Sequence, residues 1–193
     1  MSPVTPITRM PECPTDSDLI GQYRENGEVS ALRTLLERYE SSLLGFLIKT
    51  LRQRQDAEDA LQEAFCKAIK GLPTYRDNQQ FKSWIFRIAR NEAMNVIRKR
   101  GKHELRENVE PTAVEESPSA QETLIRREDA ALLERAIARL PEGERRVVIM
   151  RLQNNLPFKE IAAIEGCSIN TVLGRMHNAK RRLRRQLDPP LSS

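Results

Sequence analysis

Apolar residues return every third or fourth position along most of this chain, and that period favours helices as the main structural element. The clearest run follows Asp56, where apolar residues repeat at i, i+3, i+4, i+7 and i+8 along one helix face. These residues are Ala57, Ala60, Leu61, Ala64, Phe65, Ala68 and Ile69. Asp56 is placed to cap this helix, and Gly71 and Pro73 are placed to end it. Aromatic residues make up only 5% of the sequence, which disfavours strands. The sequence therefore predicts an all-α protein.

The helical pattern falls into two blocks separated by a different kind of sequence. We expect a first helical domain over residues 16–102 and a second over residues 124–187. Residues 103–123 are rich in glutamate, proline and serine, a composition typical of mobile linkers. A flexible arm is expected at residues 1–15 and a short tail at 188–193. The predicted architecture is two small helical domains joined by a flexible acidic linker.

Positive charge is concentrated at two places. Between Phe81 and Lys102 there are seven basic residues and one acid, and between Arg175 and Arg185 there are six basic residues and no acid. The segment between these patches, residues 103–123, contains six glutamates. Two basic patches separated by an acidic segment fit a protein that binds a polyanion at two places.

The stretch from Pro157 to Gln186 has the pattern of a helix-turn-helix. A short amphipathic helix is expected over Phe158 to Glu165, followed by a Gly-Cys-Ser turn and a second helix capped by Ser168. Ile169, Val172, Met176, Ala179 and Leu183 form the apolar seam of the second helix, which leaves its polar and basic residues outside. A helix of this kind can enter a DNA major groove. The alternative is an ordinary helical hairpin with a solvated basic face.

Other residue types argue against several function classes. The three cysteines are far apart and odd in number, and neither they nor the two histidines have metal-ligand spacing. We therefore expect no disulfide framework, no metal, no cofactor and a reducing, cytoplasmic compartment. No catalytic dyad, phosphate-binding loop, secretory signal or membrane span is apparent in the sequence.

Three segments together resemble the extracytoplasmic-function (ECF) group of bacterial RNA polymerase sigma factors, within the sigma-70 family. They are Asp56 to Lys70, Phe81 to Arg100 and Leu140 to Leu183, and their order and spacing match the family from about Asp16 to Leu187. The resemblance implies a non-enzymatic promoter-specificity subunit with a sigma-2 and a sigma-4 domain. The implied partners are core RNA polymerase (its β′ and β subunits), promoter DNA and an anti-sigma factor, often membrane-bound, with no small-molecule substrate.

The resemblance also assigns roles within the first domain. The segment from Asp56 to Lys70 is expected to dock on a β′ coiled coil through Asp56, Asp59, Gln62 and Glu63. The segment from Phe81 to Lys102 is expected to recognise and melt the −10 element. Its candidate residues are Arg90, Asn91, Asn95, Arg98, Lys99, Arg100 and Lys102. A loop at roughly Arg98 to His103 is expected to hold a flipped base, and Trp84 is expected in the core.

The second domain is expected to read the −35 element. The base-facing candidates are Leu173, Gly174, His177 and Asn178, and Thr171, Arg175, Lys180 and Arg181 are expected nearer the phosphates. Many relatives carry Arg or Ser where this chain has Leu173 and Gly174, and Arg where it has Asn178. Because Arg reads guanine whereas Leu can only pack on a thymine methyl, the −35 sequence is left open.

A conventional DNA-binding regulator with an N-terminal effector or dimerisation domain is the alternative. Such a regulator binds duplex DNA tightly and specifically on its own. A sigma factor binds promoter DNA weakly until it joins the core polymerase.

Overall fold

The computed structural model describes residues 13–76, 78–104 and 124–187, with only the backbone of residues 102–104 and 124–129. These residues form helices and turns and contain no strand. The helices are α1 (Asp16–Asn26), α2 (Val29–Leu51), α3 (Arg54–Gly71), α4 (Phe81–Glu104), α5 (Leu124–Ala138), α6 (Glu142–Val148), α7 (Phe158–Glu165) and α8 (Ile169–Leu187). The predicted all-α, two-domain class is confirmed. The N-terminal arm to residue 12, the linker from residue 105 and the tail lie outside the described residues.

The first domain is built from α1 to α4 around an apolar core. Thr15 and Asp18 form a capping box that begins α1. Leu43 and Phe46 of α2 are fully buried, and the ring of Phe46 lies edge-on to Phe86 of α4 at 5.7 Å between ring centres. The small residues of α3, Ala57, Ala60, Ala64 and Ala68, are also buried, and they let this helix approach its neighbours closely.

The second domain is built from α5 to α8. Pro141 precedes α6, and a five-residue π-helical segment, Ile149–Gln153, follows it. The side chain of Asn154 closes this segment by donating to the carbonyl of Ile149 at 3.2 Å. Val147, Ile149, Ile161, Ile164, Val172 and Ala179 form the core.

Two local predictions in the first domain are wrong. Helix α3 begins at Arg54 with Gln53 as its N-cap, so Asp56 lies inside the first turn and not at the cap. Helix α4 continues to Glu104, so the expected loop at roughly Arg98 to His103 is helical. Arg100 stabilises this extension of α4, because it donates to the carbonyl of Leu51 at 2.8 Å and to Gln53 at 2.7 Å.

The two domains are in contact, which the sequence did not predict. Helix α7 packs against α4, and α6 and the π-helical segment pack against α2. The buried apolar side chains of both domains form one continuous cluster. We call this packing of α7 on α4 and of α6 on α2 the closed arrangement. It brings residues that are far apart in the sequence together at one interface.

Candidate nucleic-acid and polymerase interfaces

Helices α7 and α8 form the predicted helix-turn-helix. Gly166 ends α7 in the left-handed conformation, with φ at +66°, a region that glycine enters without strain. Ser168 caps α8, because its hydroxyl accepts from the backbone N–H of Thr171 at 3.1 Å. Val172 and Ala179 face the core, whereas Ile169, expected on the same seam, is 45% exposed. The turn and the cap therefore fix the angle between α7 and α8.

Most of the −35 candidates lie on the outer face of α8. Leu173 is 43% exposed, so its apolar side chain is available for a contact on this face. The other exposed candidates are Thr171, Gly174, His177, Lys180 and Arg181, while Asn178 is half-buried. The outer face thus offers polar, basic and apolar groups together.

Arg175 points inward and not toward solvent. Its guanidinium lies 3.2 Å from the carboxylate of Glu165, and its side chain is 33% exposed. Gly143 of α6 faces this guanidinium so closely that a Cβ there would lie 3.2 Å from Nε. Arg175 is therefore held against α6 and α7 within the second domain.

Glu165 is the centre of an arginine cluster. Its side chain is 1% exposed and accepts from Nε and Nη2 of Arg146, each at 2.9 Å. Arg90 of the first domain also reaches it, with Nε 3.7 Å from the carboxylate and Nη2 donating to the backbone carbonyl at 3.3 Å. One buried carboxylate therefore joins α4, α6, α7 and α8.

The ion pair between Glu165 and Arg146 keeps both side chains charged despite their burial. Burial acts to raise the pKa of the Glu165 carboxyl, but the hydrogen bonds and charge of Arg146, with the charges of Arg90 and Arg175, lower that pKa below its usual range. Burial likewise opposes the charge of Arg146, and Glu165 overcomes it and raises the pKa of Arg146. Both groups remain ionised at neutral pH.

The −10 candidates on α4 have different surroundings. Arg90 is bound to Glu165, and Arg100 forms an ion pair with Asp56. The side chain of Asn95 is part-buried and contacts Glu92. Asn91, Arg98 and Lys99 are exposed, and the side chain of Lys102 lies outside the described residues. Of the exposed members, Asn91 lies near the middle of the helix and Arg98 and Lys99 lie on its second half.

A cleft that the sequence did not predict lies just before α4. Its volume is about 400 Å³, and it is lined from the first domain by Gly71, Thr74, Tyr75, Arg76, Asn78, Gln80, Ser83, Trp84 and Arg87. Ala163 and Ile164 of α7 line the opposite side. Trp84, expected in the core, is half-buried and packs against Tyr75, with ring centres 4.8 Å apart and ring planes tilted by 44°. The mixture of amides, arginines and aromatics between Thr74 and Trp84 is the sequence signal that could have indicated this cleft.

The polymerase-binding candidates lie along α3. Asp59, Gln62 and Glu63 are exposed, with Glu63 3.5 Å from the ammonium of Lys67. Asp56 differs from them, because it is part-buried and paired with Arg100. The structure therefore separates one carboxylate that fixes α4 from three polar groups that face outward.

No helix within the described residues is long and apolar enough to cross a membrane. The same part of the chain contains no cluster of His, Cys, Asp and Glu with metal-binding geometry.

Comparison with known families gives matches in both domains. Residues 35–103 match Sigma-70 region 2, and residues 130–183 match Sigma-70 region 4. A helical region 2 domain followed by a region 4 domain with an outward-facing helix-turn-helix defines a sigma factor of the sigma-70 type.

Individual relatives narrow this class. The chain is 30% identical to the ECF RNA polymerase sigma-E factor of Escherichia coli K12, over 93% of this chain and 98% of that protein. It is 28% identical to the RNA polymerase sigma-H factor of Pseudomonas aeruginosa, over 86% and 91% of the two chains. The protein belongs to the ECF sigma factors of the sigma-70 family. It is a promoter-specificity factor for transcription initiation, from a family of initiation factors and not of catalysts.

Solved structures agree with the fold. The sigma factor RpoE of Bartonella quintana, in complex with the anti-sigma factor NepR, superposes with a TM-score of 0.72 at 26% identity, over 82% of this chain and 98% of that chain. CnrH in complex with the cytosolic domain of CnrY superposes with a TM-score of 0.66 at 22% identity, over 91% and 99%. Each superposition covers more of the chain than either domain alone supplies.

Proposed function

We propose that this chain is the non-enzymatic subunit that binds core RNA polymerase in the cytoplasm, reads the −35 and −10 promoter elements and helps to melt the duplex. The observation that carries the proposal is the outer face of α8, where exposed polar and basic residues stand on a capped helix-turn-helix. The region 2 match adds a second, basic helix at a distance along the same chain. Two DNA-binding surfaces in one subunit suit a promoter with two elements.

In the proposed −35 complex, α8 enters the major groove with Leu173, Gly174, His177 and Asn178 toward the bases. Thr171, Lys180 and Arg181 bind phosphates. Arg175 joins them only if its guanidinium leaves Glu165, and otherwise it supports α8 from inside the domain. The exposure of Leu173 favours apolar contact with a thymine methyl at one position of the element.

In the proposed −10 complex, α4 supplies Asn91, Asn95, Arg98, Lys99 and Lys102 to the DNA, with Arg90 and Arg100 added when their ion pairs open. An unstacked base needs a recess with stacking and hydrogen-bonding groups. The cleft before α4 offers the ring of Trp84 and the amides of Asn78 and Gln80. We therefore place the flipped base in this cleft, since the segment first expected to hold it is helical.

Core polymerase is proposed to bind α3 through Asp59, Gln62 and Glu63. These side chains form an acidic and amide surface. Its carboxylates would repel DNA phosphates, so the surface suits a polar protein partner better than DNA. Asp56 belongs to the same segment, but it forms an ion pair with Arg100, and its main proposed role is to hold α4 against α3.

Control by an anti-sigma factor completes the proposal. The Bartonella relative was solved with its anti-sigma factor, and its superposition extends across both domains. An anti-sigma factor for this chain would act by covering its polymerase- and DNA-binding surfaces.

A run-off transcription assay on fragmented genomic DNA tests the proposal. With core polymerase from the source organism, the chain should give transcripts from a defined set of start sites, and neither component alone should give them. A conventional regulator would instead bind duplex DNA tightly by itself and add no new start sites with core polymerase alone, and that result would reject the proposal.

A further inference from the structure

The first turn of α8 presents two exposed residues that lie outside the proposed −35 contacts. They are Ile169 and Asn170, the first two residues of the helix. Ile169 is 45% exposed, and Leu173, one turn further along, is 43% exposed. With about 3.6 residues per turn, the side chains of Ile169 and Leu173 point in nearly the same direction, with Cβ atoms about 5–6 Å apart. These two residues, the apolar pair, therefore form one small exposed patch at the start of α8.

The turn that carries these residues has a fixed conformation. The hydroxyl of Ser168 accepts from the backbone N–H of Thr171 at 3.1 Å, and it lies 2.9 Å from the hydroxyl oxygen of Thr171. Val172 is fully buried and anchors the same turn to the core. Because Ile169 is branched at Cβ, it has few rotamers available in a helix. Ile169 and Asn170 therefore project from a pre-organised turn, as side chains that read base edges must.

The position of the turn suits contact with bases. In a helix-turn-helix, the N-terminal residues of the second helix are the ones that contact base edges in the major groove. Gly174 also lies on the exposed side of α8, and a Cβ there would have nothing within 4 Å. The packing of the domain therefore does not require glycine at this position, although glycine weakens a helix interior. Its missing side chain allows base edges to approach the neighbouring Asn170 and Leu173 closely.

The apolar pair can favour only one kind of base. The side chains of Ile169 and Leu173 neither donate nor accept hydrogen bonds, and the apolar group that a base presents in the major groove is the methyl group of thymine. Against a G·C pair, the same side chains would cover polar base edges without bonding to them, which costs free energy. The pair therefore selects thymine over guanine and cytosine.

The groups that read guanine or cytosine lie elsewhere or are missing from α8. Residues 169–187 contain no Asp or Glu, the residue types that accept from the amino group of cytosine. Arg175 is held inward by Glu165, and the next arginine of the helix is Arg181, about three turns after Ile169. Asn170 has an exposed carboxamide, which can form two hydrogen bonds with adenine. The first turn thus offers groups for thymine and for adenine.

We infer that Ile169, Asn170 and Leu173 read A·T pairs in the −35 element. Ile169 and Leu173 pack on the methyl groups of thymines in two successive base pairs, and Asn170 binds an adenine beside them. Successive base pairs lie about 3.4 Å apart along the duplex, a step that two side chains one helical turn apart can span. This inference rests on the proposed function, because it names the bases that the same helix would bind.

Replacing thymine by deoxyuridine tests the methyl contacts directly, because it removes the methyl group and leaves the base pairing unchanged. On a promoter identified by run-off transcription, each −35 thymine is replaced in turn, and holoenzyme affinity is measured by fluorescence anisotropy. Two successive base pairs should be sensitive, and each replacement should weaken binding by about fourfold, as expected for one buried methyl group. A −35 element without two successive A·T pairs, or affinity that is unchanged at every thymine, would overturn the inference.

Alanine variants assign each methyl group to a side chain. I169A should abolish the deoxyuridine effect at one of the two positions, and L173A should abolish it at the other. L187A is the matched control, because it removes a leucine of equal exposure, 42%, from the far end of α8 and should keep both effects. Thermal melts check that each variant is folded. Effects of the same size in all four proteins would overturn the inference and indicate that the apolar pair contacts a protein instead.

Asn170 is tested with 7-deazaadenine, which lacks the N7 acceptor. Replacing the adenine beside the two thymine positions should weaken binding of the wild-type holoenzyme by about threefold to tenfold, the effect of one lost hydrogen bond, and should leave binding of the N170A holoenzyme unchanged. An equal loss in both would overturn the adenine contact. Promoter-specific transcription without any deoxyuridine effect would reject this inference alone, whereas no promoter-specific transcript would reject the proposed function.

Discussion

Arg100, near the end of α4, forms an ion pair with Asp56 in the first turn of α3. The pair joins two segments that were expected to serve different partners, because Asp56 was assigned to the polymerase and Arg100 to the −10 element. Arg100 also donates to Leu51 and Gln53, so the end of α4 is tied to the α2–α3 connection. One arginine therefore links the geometry of the DNA-facing helix to that of the polymerase-facing helix.

The first prediction separates Asp56 from its neighbours on α3. D59K/E63K should weaken binding to core polymerase by about tenfold or more, because it reverses two exposed charges at a complementary surface. D56N should lower the free energy of unfolding by about 0.5–1 kcal/mol, because it removes the ion pair with Arg100, and it should change core affinity less. A fluorescence titration with core polymerase and urea unfolding measure the two effects. Weaker core binding by D56N than by D59K/E63K would contradict this division.

The second prediction concerns the buried carboxylate of Glu165. E165Q should lower the free energy of unfolding by about 3 kcal/mol at pH 7, because it leaves the buried Arg146 without its counter-charge. Since the folded-state pKa of Glu165 is lowered, its contribution is present above the unfolded value of about 4.3 and is lost as the pH falls through the folded pKa. The gap between wild type and E165Q should therefore shrink below about pH 4. Unfolding curves from pH 3 to 7, with the exposed E40Q as control, check this, and a gap independent of pH would count against it.

The third prediction distinguishes arginines in the basic end of α8. All three arginines are exposed, but Arg182 lies 3.2 Å from the carboxylate of Glu144, whereas Arg181 and Arg185 form no ion pair among the described residues. R181A/R185A should lower the slope of log affinity against log salt by up to about 0.9 for each phosphate that is no longer neutralised, with little change in sequence preference. R182A should change the slope less. The salt dependence of holoenzyme binding to promoter DNA gives these slopes, and equal slopes for wild type and R181A/R185A would show that the two arginines are only solvated.

The fourth prediction concerns base preference at the −35 element. L173R replaces an exposed apolar side chain on the outer face of α8 with one that can make two hydrogen bonds to guanine. The variant should gain a preference for guanine at one position, worth about 1–3 kcal/mol or roughly tenfold to hundredfold over wild type. Selection of holoenzyme-bound promoters from a randomised −35 library measures it. An unchanged preference would mean that Leu173 does not face a base.

Periodicity was sufficient to predict the elements whose apolar seam is regular. Helix α7 has the predicted bounds, Phe158–Glu165, and Ser168 caps the next helix as expected. The loop expected at roughly Arg98 to His103, by contrast, came from the family resemblance and not from periodicity, and the end of α4 is helical instead. There the helix is extended by hydrogen bonds from Arg100 to residues about 50 positions earlier in the chain.

The periodicity of the sequence also does not predict the closed arrangement. Arg90 and Glu165 are 75 residues apart, and nothing local to either residue marks the other as its partner. The cleft before α4 was missed because its lining comes from a turn, a helix start and a helix of the other domain. The exposed −35 candidates were accessible to sequence reasoning because one amphipathic helix contains them all.

Probing a promoter for unpaired thymines with permanganate tests the central claim most directly. At a start site identified by run-off transcription, core polymerase together with this protein should make thymines around the −10 element reactive, and neither component alone should do so. A duplex that stays unreactive with both components, while the protein alone protects it from cleavage, would contradict the account and identify a conventional DNA-binding regulator.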